Sequence, residues 1–143
     1  MNAQALFNKF ELQYSQLPGQ LEGNSSEEFS QKWNAFFSQV EAENALGVIY
    51  IWTVDVPIPR LNGKSDILYI GKTIQSLGRR NIKYSQQEST GLNWKRYEYI
   101  FHNISPIKVL FAKVSNPKNI ETEFLKSYSD EHLELPPFNR MSS

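Results

Sequence analysis

Apolar residues near the start of the chain recur at helical spacing. Leu6, Phe10 and Tyr14 share one face of a helix predicted over Ala3–Leu17, which Pro18-Gly19 would stop. Ser25-Ser26-Glu27-Glu28 then has the form of a capping box. Behind it Phe29, Trp33, Phe36, Phe37 and Val40 make an apolar stripe, expected to be covered by a core or by a second copy of the chain. From Gly47 the pattern shortens. Gly47–Val54 and Asp66–Gly71 are rich in β-branched and aromatic residues and read as the two strands of an antiparallel hairpin. Pro57, Pro59, Asn62 and Gly63 mark a turn or protruding loop between them. A helix is expected from Gln75 to about Gln87, then strands over Tyr97–His102 and Ile107–Val114. Asn116-Pro117 is a helix start, with Ile120, Phe124, Leu125 and Tyr128 facing inward before Pro136-Pro137 ends the regular structure. The order αα-ββ-α-ββ-α implies an α/β (α+β) fold: a small mixed sheet of three to four strands flanked by helices.

At 143 residues the chain fits a single core, and 40% apolar with 13% aromatic residues excludes a disordered chain. With no cysteine, disulfides, thiolate metal sites and a cysteine nucleophile are excluded, which fits a reducing, cytoplasmic setting. No secretion signal and no membrane span is expected, since the longest apolar run is Val48–Trp52. The formal net charge is zero, but its distribution is uneven. Residues 1–46 hold two bases against six acids, a balance of −4, while the remainder holds 13 bases and 9 acids, a balance of +4. Between Arg60 and Arg96, eight bases face only Asp66 and Glu88. Such a segment can attract phosphates, although an ordinary solvated surface has the same look.

Several familiar signatures are missing. There is no phosphate-cradling glycine loop, and His102 and His132 have no metal-ligand spacing. His102 falls among strand aromatics, and Asp130-Glu131-His132 reads as a solvated helix end. What remains is a tyrosine pair in the hairpin, each member close to a glycine: Gly47-Val48-Ile49-Tyr50 and Tyr69-Ile70-Gly71-Lys72-Thr73. This pairing resembles the motif that names the GIY-YIG nucleases. Three later matches strengthen the likeness. Arg80-Asn81-Ile82-Lys83-Tyr84 resembles the family's arginine and its aromatic partner one helical turn on, with Arg79 as the competing arginine. Glu121, favoured over Glu123 by the apolar pair that follows it, resembles the metal-binding glutamate, and Pro136-Pro137-Phe138-Asn139 the closing asparagine. The likeness covers Gly47 to Asn139. It implies a nuclease-type domain over 47–143, with 1–46 as an N-terminal helical extension packed on it.

By resemblance, Tyr50 acts as base toward water, and Tyr69 and Tyr84 position water and phosphate. Arg80 forks onto the phosphate, Glu121 holds one Mg2+ or Mn2+ ion, and Lys72, Arg79, Lys83 and Asn139 contact substrate. A phenol with a pKa of ~10 is a poor base at neutral pH. Lys72 is the expected ammonium that would lower it. The implied substrate is nucleic acid, most readily duplex DNA, with a homodimer or a partner subunit possible in the same class. The alternative is a GIY-YIG-like module that grips nucleic acid without cutting it.

Overall fold

Leu46 to Ser76 form one long hairpin, and the rest of the chain is arranged on its two faces. The computed structural model describes residues 1–140. In chain order the elements are α1 (Ala3–Lys9), β1 (Ser15–Gln16), α2 (Ser26–Ser38), α3 (Val40–Asn44), β2 (Leu46–Pro59) and β3 (Lys64–Ser76). There follow α4 (Leu77–Ile82), α5 (Ser85–Glu88), α6 (Gly91–Asn103), β4 (Lys108–Lys113), α7 (Pro117–His132) and a 3-10 turn over Pro137–Arg140. The α+β class and the helix-flanked sheet are as expected. The four strands run in the order β1-β4-β2-β3, every neighbouring pair antiparallel. No helix among the described residues is long and apolar enough to cross a membrane.

Alternation along β2 sends Val48, Tyr50, Trp52 and Val54 to one face and Ile49 and Ile51 to the other. The first face meets α2, α3 and α6, and there the stripe Phe29, Trp33, Phe36 and Phe37 is buried. Val40, expected in that stripe, is 60% exposed. The second face is covered by α1 and α7, through Leu6, Phe7, Phe124 and Tyr128. Residues before Gly47 thus supply parts of both cores and one strand of the sheet.

Three expectations are corrected. The first helix stops at Lys9, where Glu11 turns the chain through φ 56°, and Ser15–Gln16 pair with Phe111 and Leu110 of β4. Tyr97–His102 is helix, not strand: Trp94, Tyr97, Ile100 and Phe101 recur at three and four residues, and that spacing outweighs their β propensity. The helix expected over Gln75–Gln87 is also broken. Its first two residues extend β3, and a turn at Lys83-Tyr84 separates α4 from α5.

The segment read as a protruding loop is docked on the end of α7. The Asn62 amide donates to the Glu131 carbonyl (2.7 Å), Arg60 donates to the Leu135 carbonyl (2.7 Å), and Arg60 pairs with Glu134 at 3.2 Å. His132, read as solvated, is 1% exposed, with Nδ1 2.7 Å from the Asn62 carbonyl. Arg60 is therefore tied to structure and drops out of the phosphate-attracting set.

Candidate active site

A cleft of about 180 Å³ opens on the α2/α6 side of the sheet. Its floor is Tyr50 and Trp52 of β2 with Tyr69 of β3, and Arg80 and Asn81 of α4 form one wall. Tyr84, Gln87 and Glu88 continue that wall, while Asn93, Tyr97 and Phe138 complete the rim.

Local sequence explains how the tyrosines meet. Tyr50 stands across from Gly71, and Trp52 across from Tyr69. A β-bulge between Trp52 and Thr53 leaves Leu68 unpaired, so Leu68 and Tyr69 both turn toward the cleft side. The rings of Tyr50 and Tyr69 then lean over Gly71, their centroids 6.1 Å apart. A Cβ at Gly71 would sit 2.6 Å from Tyr50 ring carbons and 2.7 Å from Tyr69, so this glycine is required by space. Gly47 serves a different need. At φ 62° it takes the left-handed backbone of the irregular pairing where β2 begins.

The arginine is placed by a short, well-anchored helix. The Ser76 hydroxyl caps α4 by accepting from the Arg79 amide at 3.0 Å, and the buried Trp33 indole donates to the Asn81 carbonyl at 2.8 Å. Arg80 then lies over the Tyr84 ring, 4.8 Å from its centroid, and Lys83 lies 5.4 Å from the same ring. Arg80 has no carboxylate at ion-pair distance among the described residues. Arg79 is exposed and does not line the cleft.

Glu121 lies outside the lining, on the inward side of α7, whereas Glu123 faces solvent. Burial raises the Glu121 pKa, and Lys72 and Arg80 oppose the rise, which places the carboxylate within electrostatic reach of both. Lys72 is paired with Ile49, the β2 neighbour of Tyr50 that faces the opposite side of the sheet. The cation acting on Tyr50 is Arg80, and the expectation that Lys72 lowers the Tyr50 pKa is corrected accordingly. Tyr50 is 1% exposed, and burial followed by Tyr69 pushes its phenol well above the ordinary range, Arg80 and Asn81 opposing only in part. At neutral pH the Tyr50 phenol therefore keeps its proton and can donate a hydrogen bond. Burial raises Tyr69 in the same direction.

Asn139 holds the outer edge of β3. Its side-chain amide accepts from the Ile70 N–H and donates to the Ile70 carbonyl, both at 2.9 Å, as a neighbouring strand would. Asn139 thus braces the segment that carries Tyr69 and Gly71. Sequence reading missed Glu88 and Tyr97. Glu88 had one signal, an isolated acid in a basic stretch; Tyr97 was hidden by the strand assignment.

Among the described residues no group of three or more histidine, aspartate and glutamate side chains is arranged to hold an ion, so Glu121 stands as a single carboxylate. Comparison of the chain with protein-family models, with curated proteins and with solved structures found no match.

Proposed function

We propose that the chain is a GIY-YIG-type nuclease that hydrolyses phosphodiester bonds in nucleic acid, most readily duplex DNA, in a cytoplasmic setting. The observation that carries this reading is Arg80. It is an arginine without a carboxylate partner, braced on Tyr84, in one cleft with two tyrosine hydroxyls and within the field of Glu121. Such an arginine can fork two hydrogen bonds onto a phosphate as negative charge builds there. Tyr50 and Tyr69, kept protonated, donate hydrogen bonds to the phosphate or to water. Lys72, Arg79 and Lys83 supply positive charge around the site.

Glu121 fits a single magnesium ion: a half-buried carboxylate with no ion pair or hydrogen bond of its own among the described residues. Magnesium needs only one or two carboxylates when water and substrate phosphate fill its other positions. Bound there, the ion would neutralise charge on the phosphoryl oxygens.

The test is incubation of the full chain with supercoiled plasmid and with single-stranded RNA, in magnesium and in chelator. Nicking or cleavage that needs magnesium supports the reading, and no cleavage of either polymer overturns it. A companion variant, Arg80→Lys, should cut on the order of 10²-fold more slowly, because lysine keeps the charge and loses the fork. Near-normal turnover in that variant would reduce Arg80 to general attraction.

A further inference from the structure

Lys95 and Arg96 belong to the basic stretch between Arg60 and Arg96 but have no part in the cleft. Both are exposed on α6, and neither forms an ion pair among the described residues. With Tyr99, Ile100, Pro137 and Phe138 they line a second hollow, an open groove of about 310 Å³ between α6 and the 3-10 turn. The groove adjoins the cleft. Phe138 lines both, its ring meeting that of Tyr97 edge-on with centroids 5.0 Å apart. Helix α6 is the shared wall, with Asn93 and Tyr97 in the cleft and Lys95, Arg96 and Tyr99 in the groove.

Tyr99 is the unusual member. It is 62% exposed, and no other ring packs on it among the described residues. Lys95 and Arg96 precede it by four and three residues, so the three side chains share one helical face. Glu98, the acid nearest to them in sequence, pairs with neither base and lines neither hollow. Ile100 and Phe138, each 6% exposed, give the groove an apolar floor.

We propose that this groove binds unpaired nucleotides next to the phosphate held in the cleft, with a base stacked on Tyr99 and phosphates on Lys95 and Arg96. This rests on the reading of the cleft as a nucleic-acid site. An open aromatic ring flanked by free cations suits a single strand, because the ring accepts the face of any base while the cations neutralise the backbone. Within a duplex those base faces are already covered by their neighbours. Lys95 and Arg96 alone would serve a fully paired substrate, and Tyr99 would add nothing. The ring therefore favours a duplex that carries an unpaired segment.

The experiment measures binding of the full chain to a fluorescent duplex, blunt or carrying a short thymidine tail at either strand end. Chelator is present so that binding is read without cutting. Wild type should hold a tailed duplex at least ~5-fold more tightly than the blunt one, the lower bound for one stacked base. Tyr99→Ala should lose that preference and Tyr99→Phe, which keeps the ring, should retain it. The double variant Lys95→Ala/Arg96→Ala should bind the tailed duplex with a salt slope lower by about 1.4, at ~0.7 for each single-strand phosphate. All three variants alter exposed side chains and should unfold at the wild-type temperature. Equal wild-type affinity for blunt and tailed duplexes overturns the proposal. So does a preference that survives Tyr99→Ala, or an unchanged salt slope in the double variant. Wild type that nicks plasmid yet ignores the tail loses this proposal alone. Wild type that prefers the tail through Tyr99 yet never cuts upholds the groove and loses the nuclease reading.

Discussion

Glu121→Ala is expected to abolish magnesium-dependent cleavage while leaving the fold intact. If this carboxylate is the ion's protein ligand, its loss removes charge stabilisation worth several kcal/mol. At about 1.4 kcal/mol per factor of ten, the rate should fall on the order of 10³-fold or more. Folding should not suffer, because Glu121 makes no ion pair and burial holds its pKa above the ordinary carboxylate value. A raised folded-state pKa is a stabilisation present in acid and lost as pH rises through it, so at neutral pH the ionised group is a slight burden that alanine relieves. Glu123→Ala, altering an exposed residue on the same helix, should keep full activity. The checks are plasmid nicking and thermal unfolding of both variants at neutral pH. Full activity in Glu121→Ala, or wild-type cutting in excess chelator, would sink the assignment. A dead Glu123→Ala beside an active Glu121→Ala would move the metal by half a helical turn.

Gly71→Ala is expected to be the most damaging one-carbon change in the hairpin. In an ordinary strand, replacing glycine with alanine gains about 0.5–1 kcal/mol by reducing the freedom of the unfolded chain. Here the new methyl would stand 2.6 Å from two ring carbons of Tyr50, which is buried and packed against the rings of Trp52 and Tyr69. Overpacking of a filled core costs about 1–3 kcal/mol, so the steric term should win and the net effect should be destabilising by roughly 1–2 kcal/mol. For a chain of this size that corresponds to a fall in Tm of roughly 3–8 °C. Whatever folds should also cut poorly, because the strain is relieved by moving the two hydroxyls at the cleft floor. Thermal unfolding and nicking, measured together, decide it. An unchanged or raised Tm would mean that the tyrosine rings are not held against this glycine.

Much of this protein was legible in one dimension. The hairpin, the capped helix behind Ser25 and the helix begun by Asn116-Pro117 rest on period and punctuation, which are local properties of the chain. The tyrosine pair and the spacing of Arg80 with Tyr84 were readable for the same reason, since strand register and one helical turn bring those residues together. Competition between partners was not readable. Ser15–Gln16 left a plausible helix because β4 offered backbone hydrogen bonds, and His132 became buried because the tip of a distant hairpin covers it. Strand alternation would part Leu68 from Tyr69; a bulge whose position depends on the facing strand puts both on one side. Chemical character belongs to this second class. The sequence supplies a phenol at Tyr50, a carboxyl at Glu88 and an ammonium at Lys72, but burial, sheet face and neighbours decide which can take a proton. Those are set by atoms far apart in the chain, and only the tertiary structure brings them within range.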